Sequence, residues 1–352
     1  MDRTTIAKQT TAILRELGLR AGEWVIVRSK EEILATLDER GRMEGLPFQP
    51  EMFAHCGQRL RVFKVAHKTC DTINKTGGRR MRNAVHLEGA RCDGLLHGGC
   101  QADCVFFWKE AWLRRAEEPV PNAASNQREA MVCTEATVVR ATRAPGDEES
   151  SDPAWVCQNT ALFEATEPLK WWDGRQYVRD VTSRNHSAWH MVKLLTFASY
   201  RSLLSLGVGY RILLRLYDTF QKLHGGKPYP IANGMIPKGQ PTPHEESNLK
   251  PGEWVQVKSL DEIRATLTSQ GFNRGMWFDQ EMARYCGGKY RVQMRVNRLI
   301  SERTGKMLEM KYPCLQLEDV YCRAHCTAQR LGCPRATNTY WREIWLRRIG
   351  SP

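Results

Sequence analysis

The chain matches itself at a fixed displacement. Moved by 230 residues, Gly22-Glu23-Trp24-Val25-Ile26-Val27-Arg28-Ser29 falls on Gly252-Glu253-Trp254-Val255-Gln256-Val257-Lys258-Ser259, and the match continues without a gap. Glu32, Ile33, Ala35, Thr36 and Leu37 meet Glu262, Ile263, Ala265, Thr266 and Leu267; Glu51-Met52 meets Glu281-Met282, and Cys56-Gly57 meets Cys286-Gly287. Further on, Leu87-Glu88 meets Leu317-Glu318 and Cys92 meets Cys322. The offset then grows to 233, which sets Cys100 on Cys333 and Trp108-Lys109-Glu110-Ala111-Trp112-Leu113-Arg114-Arg115 on Trp341-Arg342-Glu343-Ile344-Trp345-Leu346-Arg347-Arg348. A chain duplicated in this way must build two small cores, one per copy, rather than a single large one.

Within each copy the pattern is that of short strands. GEWVxVxS alternates apolar and polar residues as a half-buried strand does, EEILATL or DEIRATL is a short helix, and Arg59 to Val65 alternates again. Thr76-Gly77-Gly78 reads as a hairpin turn leading into Met81 to Leu87, and WxExWLRR supplies the last strand. The expected fold class is α+β: two duplicated small SH3-like β-barrel domains joined by a partly helical middle region. The expected organisation is an N-terminal helix over 1–20, Cys-rich repeats over 21–116 and 251–350, and linkers over 117–154 and 225–250. Residues 155–224 form the middle helical region. There, Lys193, Arg201, Arg211, Arg215, Asp218 and Lys222 share one arc of a helical wheel over 187–222 and leucines fill the remainder. The segment is too charged to span a membrane. Burial as a central strut between the barrels is preferred, with peripheral membrane contact as the other placement.

Charge favours anionic partners: 52 Lys and Arg oppose 39 Asp and Glu, a net of +13. The opening residues, charged and without an apolar run ahead of a cleavage site, suggest a cytoplasmic protein. Twelve cysteines in a reducing compartment point to metal rather than disulfides. Three positions recur in both copies, and a tetrahedral or cubane site needs four ligands. Cys70 and Ala84 lie symmetrically about Gly77, and Ala84 corresponds to Cys314. The fourth ligand is therefore expected to cross the hairpin between copies. The expected ligand sets are Cys56, Cys70, Cys92, Cys100 in the first copy and Cys286, Cys314, Cys322, Cys333 in the second, with Cys104, Cys326, His67 and His97 as alternates. Cys133 and Cys157 read as core residues.

One centre per repeat is expected. An iron–sulfur cluster is favoured over zinc, because no Cys-x2-Cys knuckle is present and Cys333-Pro334 matches a ferredoxin-type step. Taken together, GEWVxVxS, EEIxATL, the EM-to-CG segment, LExxxC, the terminal WxExWLxR and the central Asp173-Gly174-Arg175-Gln176-Tyr177-Val178-Arg179-Asp180-Val181-Thr182-Ser183 resemble an uncharacterised bacterial family of tandem Cys-containing repeats. The resemblance implies the tandem architecture over nearly the whole chain and names no reaction. Dinucleotide, phosphate-loop, serine-hydrolase and zincin motifs are missing. Two functions fit: an iron–sulfur redox or sulfur-handling protein with a redox partner, or a zinc-stapled binding module whose basic faces hold nucleic acid, acidic protein or lipid.

Overall fold

The computed structural model describes residues 16–74, 76–117, 132–147, 149–326 and 328–351. It is a mixed α+β chain, mostly strands, that divides into two compact units. Unit 1 comprises residues 1–191, 298–308 and 333–335; unit 2 comprises 192–297, 309–332 and 336–352.

Unit 1 contains β1 (Trp24–Val27), β2 (Arg42–Met43), β3 (Leu46–Pro47), β4 (Arg59–Val65), β5 (Lys68–Cys70), β6 (Gly78–Arg80), β7 (Ala84–Leu87), β8 (Trp108–Lys109), β9 (Leu113–Arg115) and β10 (Glu167–Leu169). Its main antiparallel sheet runs β8-β7-β4-β1-β9. Unit 2 holds β11 (Trp254–Val257), β12 (Phe272–Asn273), β13 (Met276–Trp277) and β16 (Leu346–Arg348), together with most of β14 (Lys289–Ile300) and β15 (Met307–Leu317). Its sheet runs β15-β14-β11-β16. The displacement seen in the sequence recurs in the pairing. Val25 faces Leu60 and Arg115, while Val255 faces Tyr290 and Arg348.

The repeated residues do the same physical work in each unit. Ser29 and Ser259 cap α1 (Lys30–Leu34) and the corresponding helix Leu260–Arg264, and Glu32 or Glu262 completes the capping box. The fully buried Trp112 and Trp345 donate their indole N–H to Thr36 Oγ1 at 3.0 Å and Thr266 Oγ1 at 2.9 Å. This explains why the threonine travels with the tryptophan, since a buried indole needs an acceptor. Phe48 packs edge-on to Trp112 at 5.1 Å and Phe278 to Trp345 at 5.4 Å. Glu110 accepts hydrogen bonds from the Leu17 and Gly18 amides at 2.6 and 2.9 Å; Glu343 accepts from Ser247 and Asn248. Each carboxylate so fixes the strand that enters its sheet.

The hairpin differs from the expected one. Cys70 pairs with Gly78, Thr69 with Arg79 and Lys68 with Arg80, so Cys70 does not face Ala84. Asp71 sets the turn: its carboxylate accepts from the amides of Ile73, Asn74 and Thr76 at 3.0, 2.8 and 3.2 Å. An aspartate folding back on its own backbone overrides the Gly-Gly signal that follows it.

Two expected segments also differ. Residues 16–20 are not helical, and residues 1–15 lie outside the described residues. Within 117–154, residues 118–131 and 148 lie outside the described residues, but Thr134 caps α2 (Glu135–Arg140), and Cys133 and Val138 enter the core of unit 1. Two apolar side chains suffice to anchor a segment whose composition reads as a linker.

The DxRQYVRDVTS element forms α3 (Arg175–Thr182) against the same unit. Asp180, fully buried, accepts from Lys68 Nζ at 2.6 Å, Asp173 pairs with Arg80 at 3.0 Å, and Asn185 bonds both backbone groups of Val65 at 2.8 Å. Downstream, α4 (Ala188–Ser205) and α5 (Tyr210–Leu223) form a helical pair. No helix among the described residues is long and apolar enough to cross a membrane. The expected burial is partial: α4 buries Met191, Leu194 and Leu204, and α5 buries no residue.

Candidate metal centre

After β7 the chain makes a long irregular excursion before returning at β8, and this loop carries three thiols. A bridge between Arg91 and Val105 closes it, and the Cys92 amide donates to the Cys104 carbonyl at 2.9 Å. Inside it, the amides of His97 and Gly99 donate to the Gly94 carbonyl at 3.0 Å, and the Cys100 amide donates to His97 O at 3.2 Å. Gly94 has φ +69°, and a Cβ there would run into the Cys100 backbone. Only glycine satisfies both conditions. Gly94→Ala should accordingly displace Cys100 and, for a metal held by this loop, lower its content at least severalfold by elemental analysis of the purified protein. Unchanged content would show that the loop geometry is dispensable.

A second segment brings the fourth thiol. Gln158 is bolted into unit 1: its side chain donates to Pro47 O at 3.1 Å and Phe107 O at 2.9 Å, and accepts from the Phe107 amide at 2.8 Å. This fixes the neighbouring Cys157, whose amide donates to Thr160 Oγ1 at 2.9 Å, and Asn159, whose Nδ2 donates to Cys104 Sγ at 2.9 Å. Cys104 and Cys157 both act electrostatically on Cys92, Cys157 and Cys100 act on Cys104, and Cys100 acts on Cys157. Electrostatics thus link Cys92, Cys100, Cys104 and Cys157. Burial pushes all four thiols up, Cys157 to about 11. Raised in this way the thiols are neutral at pH 7, and a bound metal would supply the charge that makes thiolates stable there.

Charged and polar neighbours surround the group. Glu51 and His97, 5% and 1% exposed, lie beside Cys92: Glu51 Oε1 is 2.7 Å from His97 Nδ1, and His97 Nε2 faces Val156 O at 3.2 Å. The ligand atoms of Glu51, Cys92 and His97 lie within 4.8 Å of one another, and Glu51 Oε2 is buried without a hydrogen-bond partner. Burial would raise the Glu51 carboxyl, but the His97 hydrogen bond and charge outweigh it and hold it below the usual range. Arg335, 4% exposed, donates to Glu302 at 2.7 Å and Thr72 at 3.1 Å, and feels the thiols of Cys70, Cys104 and Cys333.

Of the expected first set, Cys92 and Cys100 come together, Cys70 lies on the Arg335 side, and Cys56 stands apart beside Lys30, Glu31 and Glu135. Of the expected second set, Cys333 belongs to unit 1. Lys227 acts on Cys286, and Arg342 and Arg295 act on Cys314; burial pushes each thiol up to about 12, and neither feels another thiol among the described residues. Cys322 is placed by its amide bond to Thr337 O at 2.8 Å. Among the alternates, Cys104 joins the group and His97 borders it, while Cys326 sits by Glu281, Asp279, Arg284 and Arg201. Buried His67 faces Gln176 O and Asp180, each at 3.3 Å.

Cys157, Glu51 and Gln158 were not singled out by sequence reasoning. Glu51 had a signal, since Glu281 repeats it, whereas nothing local distinguished Cys157 from a packed thiol.

Fold and site together define a cysteine-rich α+β chain with half-buried, electrostatically linked thiols in one unit. Comparison with family models, with curated proteins and with solved structures found no match.

Proposed function

We propose that this chain is a metalloprotein whose centre in unit 1 is an iron–sulfur cluster held by Cys92, Cys100, Cys104 and Cys157, serving redox or sulfur-handling chemistry. The observation that carries the reading is that four half-buried thiols from two separate segments are linked electrostatically, with Asn159 beside Cys157 donating to Cys104 Sγ. Arg335 would act as the cationic neighbour that favours the reduced, more negative cluster. As a one-electron carrier the cluster would accept an electron from a donor protein and pass it to an acceptor, with no net change in its ligands.

Zinc is the second reading, favoured by Glu51, Cys92 and His97. Mixed oxygen, sulfur and nitrogen donors close together suit a single zinc ion. In that case the protein is a metal-stapled binding module for an anionic partner.

In the same proposal residues 21–116 and 251–350 are two copies of one SH3-like barrel, supported by the shared strand order and register, and the chain is a cytoplasmic member of the tandem-repeat family it resembles. Anaerobic purification followed by a visible spectrum and metal analysis tests the centre. A broad absorbance near about 400 nm with iron and sulfide supports the cluster; stoichiometric zinc with no colour supports the second reading. Protein free of both, purified from metal-replete cells, would reject a metal centre.

A further inference from the structure

The helical pair formed by α4 and α5 carries an apolar surface that is exposed among the described residues. On α5, Ile212, Leu216, Phe220 and Leu223 recur at helical spacing on one face and are 66%, 62%, 56% and 78% exposed. Leu203 and Leu206 at the end of α4 and Val208 in the turn extend the surface, and Val208 is 81% exposed. The opposite face already has its packing. Phe197, Tyr217 and Tyr229 form a ring cluster, Tyr200 stacks on Tyr217 at 5.5 Å, and Tyr200 OH donates to Leu213 O at 2.5 Å. The outward stripe is therefore not the side that holds the pair to its unit. An exposed apolar stripe of this length marks an interaction surface.

Charge identifies the occupant. Arg211, Arg215 and Lys222 are exposed and fall together along one edge of the stripe. Between residues 192 and 223 the only acid is Asp218, and its carboxylate accepts from the Tyr229 amide at 2.8 Å. Arg201, expected on the same arc, turns away and donates to Cys326 O. A second copy of this face would bring the same cations against each other. An apolar stripe with a basic border and no free carboxylate instead complements an anionic lipid surface.

We propose that the α4–α5 pair docks this chain on anionic membranes, with Ile212, Leu216, Phe220 and Leu223 entering the acyl boundary and Arg211, Arg215 and Lys222 meeting headgroup phosphates. The turn Leu206-Gly207-Val208-Gly209, with φ of +78° and +66° at its glycines, presents Leu206 and Val208 as the leading edge.

Flotation of the full chain with vesicles tests this. Wild-type protein should float with vesicles of phosphatidylcholine mixed with phosphatidylglycerol, bind vesicles of phosphatidylcholine alone at least about tenfold more weakly, and release as salt rises. Ile212→Glu with Leu216→Glu, at exposed positions that leave the circular dichroism unchanged, should abolish flotation; Arg211→Glu with Arg215→Glu should weaken it by about tenfold or more. Equal binding to both vesicle types, or unchanged flotation of the Ile212/Leu216 variant, would overturn the proposal. A concentration-dependent dimer in lipid-free light scattering that this variant abolishes, with no flotation of wild type, would also overturn it and assign the face to a second copy.

Discussion

On the four-thiol assignment proposed above, Cys104→Ser should empty the proposed centre and destabilise the unit around it. Cys104 is the thiol with most connections in the group: Cys100 and Cys157 act on it, it acts on Cys92 and Arg335, and Asn159 donates to its sulfur. A serine keeps the shape, but its hydroxyl is a poor ligand for iron or zinc. Because a metal held by the folded state alone adds its binding free energy to stability, a site occupied at about a thousand times its Kd contributes about 4 kcal/mol. The variant should lose that amount together with its metal, seen as a lower urea midpoint and as loss of colour or zinc. Cys56→Ser provides the contrast. Its thiol sits among Lys30, Glu31 and Glu135 and feels no other cysteine among the described residues, so metal content should stay at the wild-type level. Loss of metal in Cys56→Ser, or its retention in Cys104→Ser, would remove the four-thiol assignment.

What could be read from the sequence follows the range of the forces involved. The alternating strands and the short helix that follows GEWVxVxS answer to local rules of period, and these appear at the expected places. The hairpin register was less legible. Gly77-Gly78 is a strong turn signal, but four bonds to Asp71, from three amides and the Thr76 hydroxyl, decide where the chain reverses. The thiol group was least legible, because Cys157 reaches it through Gln158, whose bonds to Pro47 and Phe107 are long-range and leave no period or spacing behind. Pairing of like positions between copies suggested two equivalent ligand sets. Instead Cys333 belongs to unit 1 while Cys286 and Cys314 each meet separate cations, so the matched positions agree more closely in their strands than in the surroundings of their thiols.

Lys68→Met will cost about 3–5 kcal/mol, because it leaves the Asp180 carboxylate buried without its ammonium partner. Asp180 is fully buried, and burial pushes its carboxyl up to about 6 even with Lys68 2.6 Å away and Lys64 also acting on it. His67 cannot replace the lost cation. It lies 3.3 Å from Asp180, but burial drives its own value down to about 3, so the ring is neutral at any pH where Asp180 is ionised. A carboxyl raised in the folded state binds its proton more tightly there than in the unfolded chain. Its contribution is therefore best below about pH 4 and declines as pH rises through the folded value. Removing Lys68 raises that value further and extends the decline toward neutral pH. The variant's deficit relative to wild type should consequently be larger at pH 8 than at pH 5, where protonation relieves the stranded charge. Lys68→Met combined with Asp180→Leu should recover most of the loss, since an apolar pair fills the same space without a charge to desolvate. Urea unfolding of the three variants at both pH values measures each term. A deficit below about 1 kcal/mol at pH 8, or one that does not change between the two pH values, would mean that α3 is held to unit 1 by Asp173 and Asn185 rather than by this buried pair.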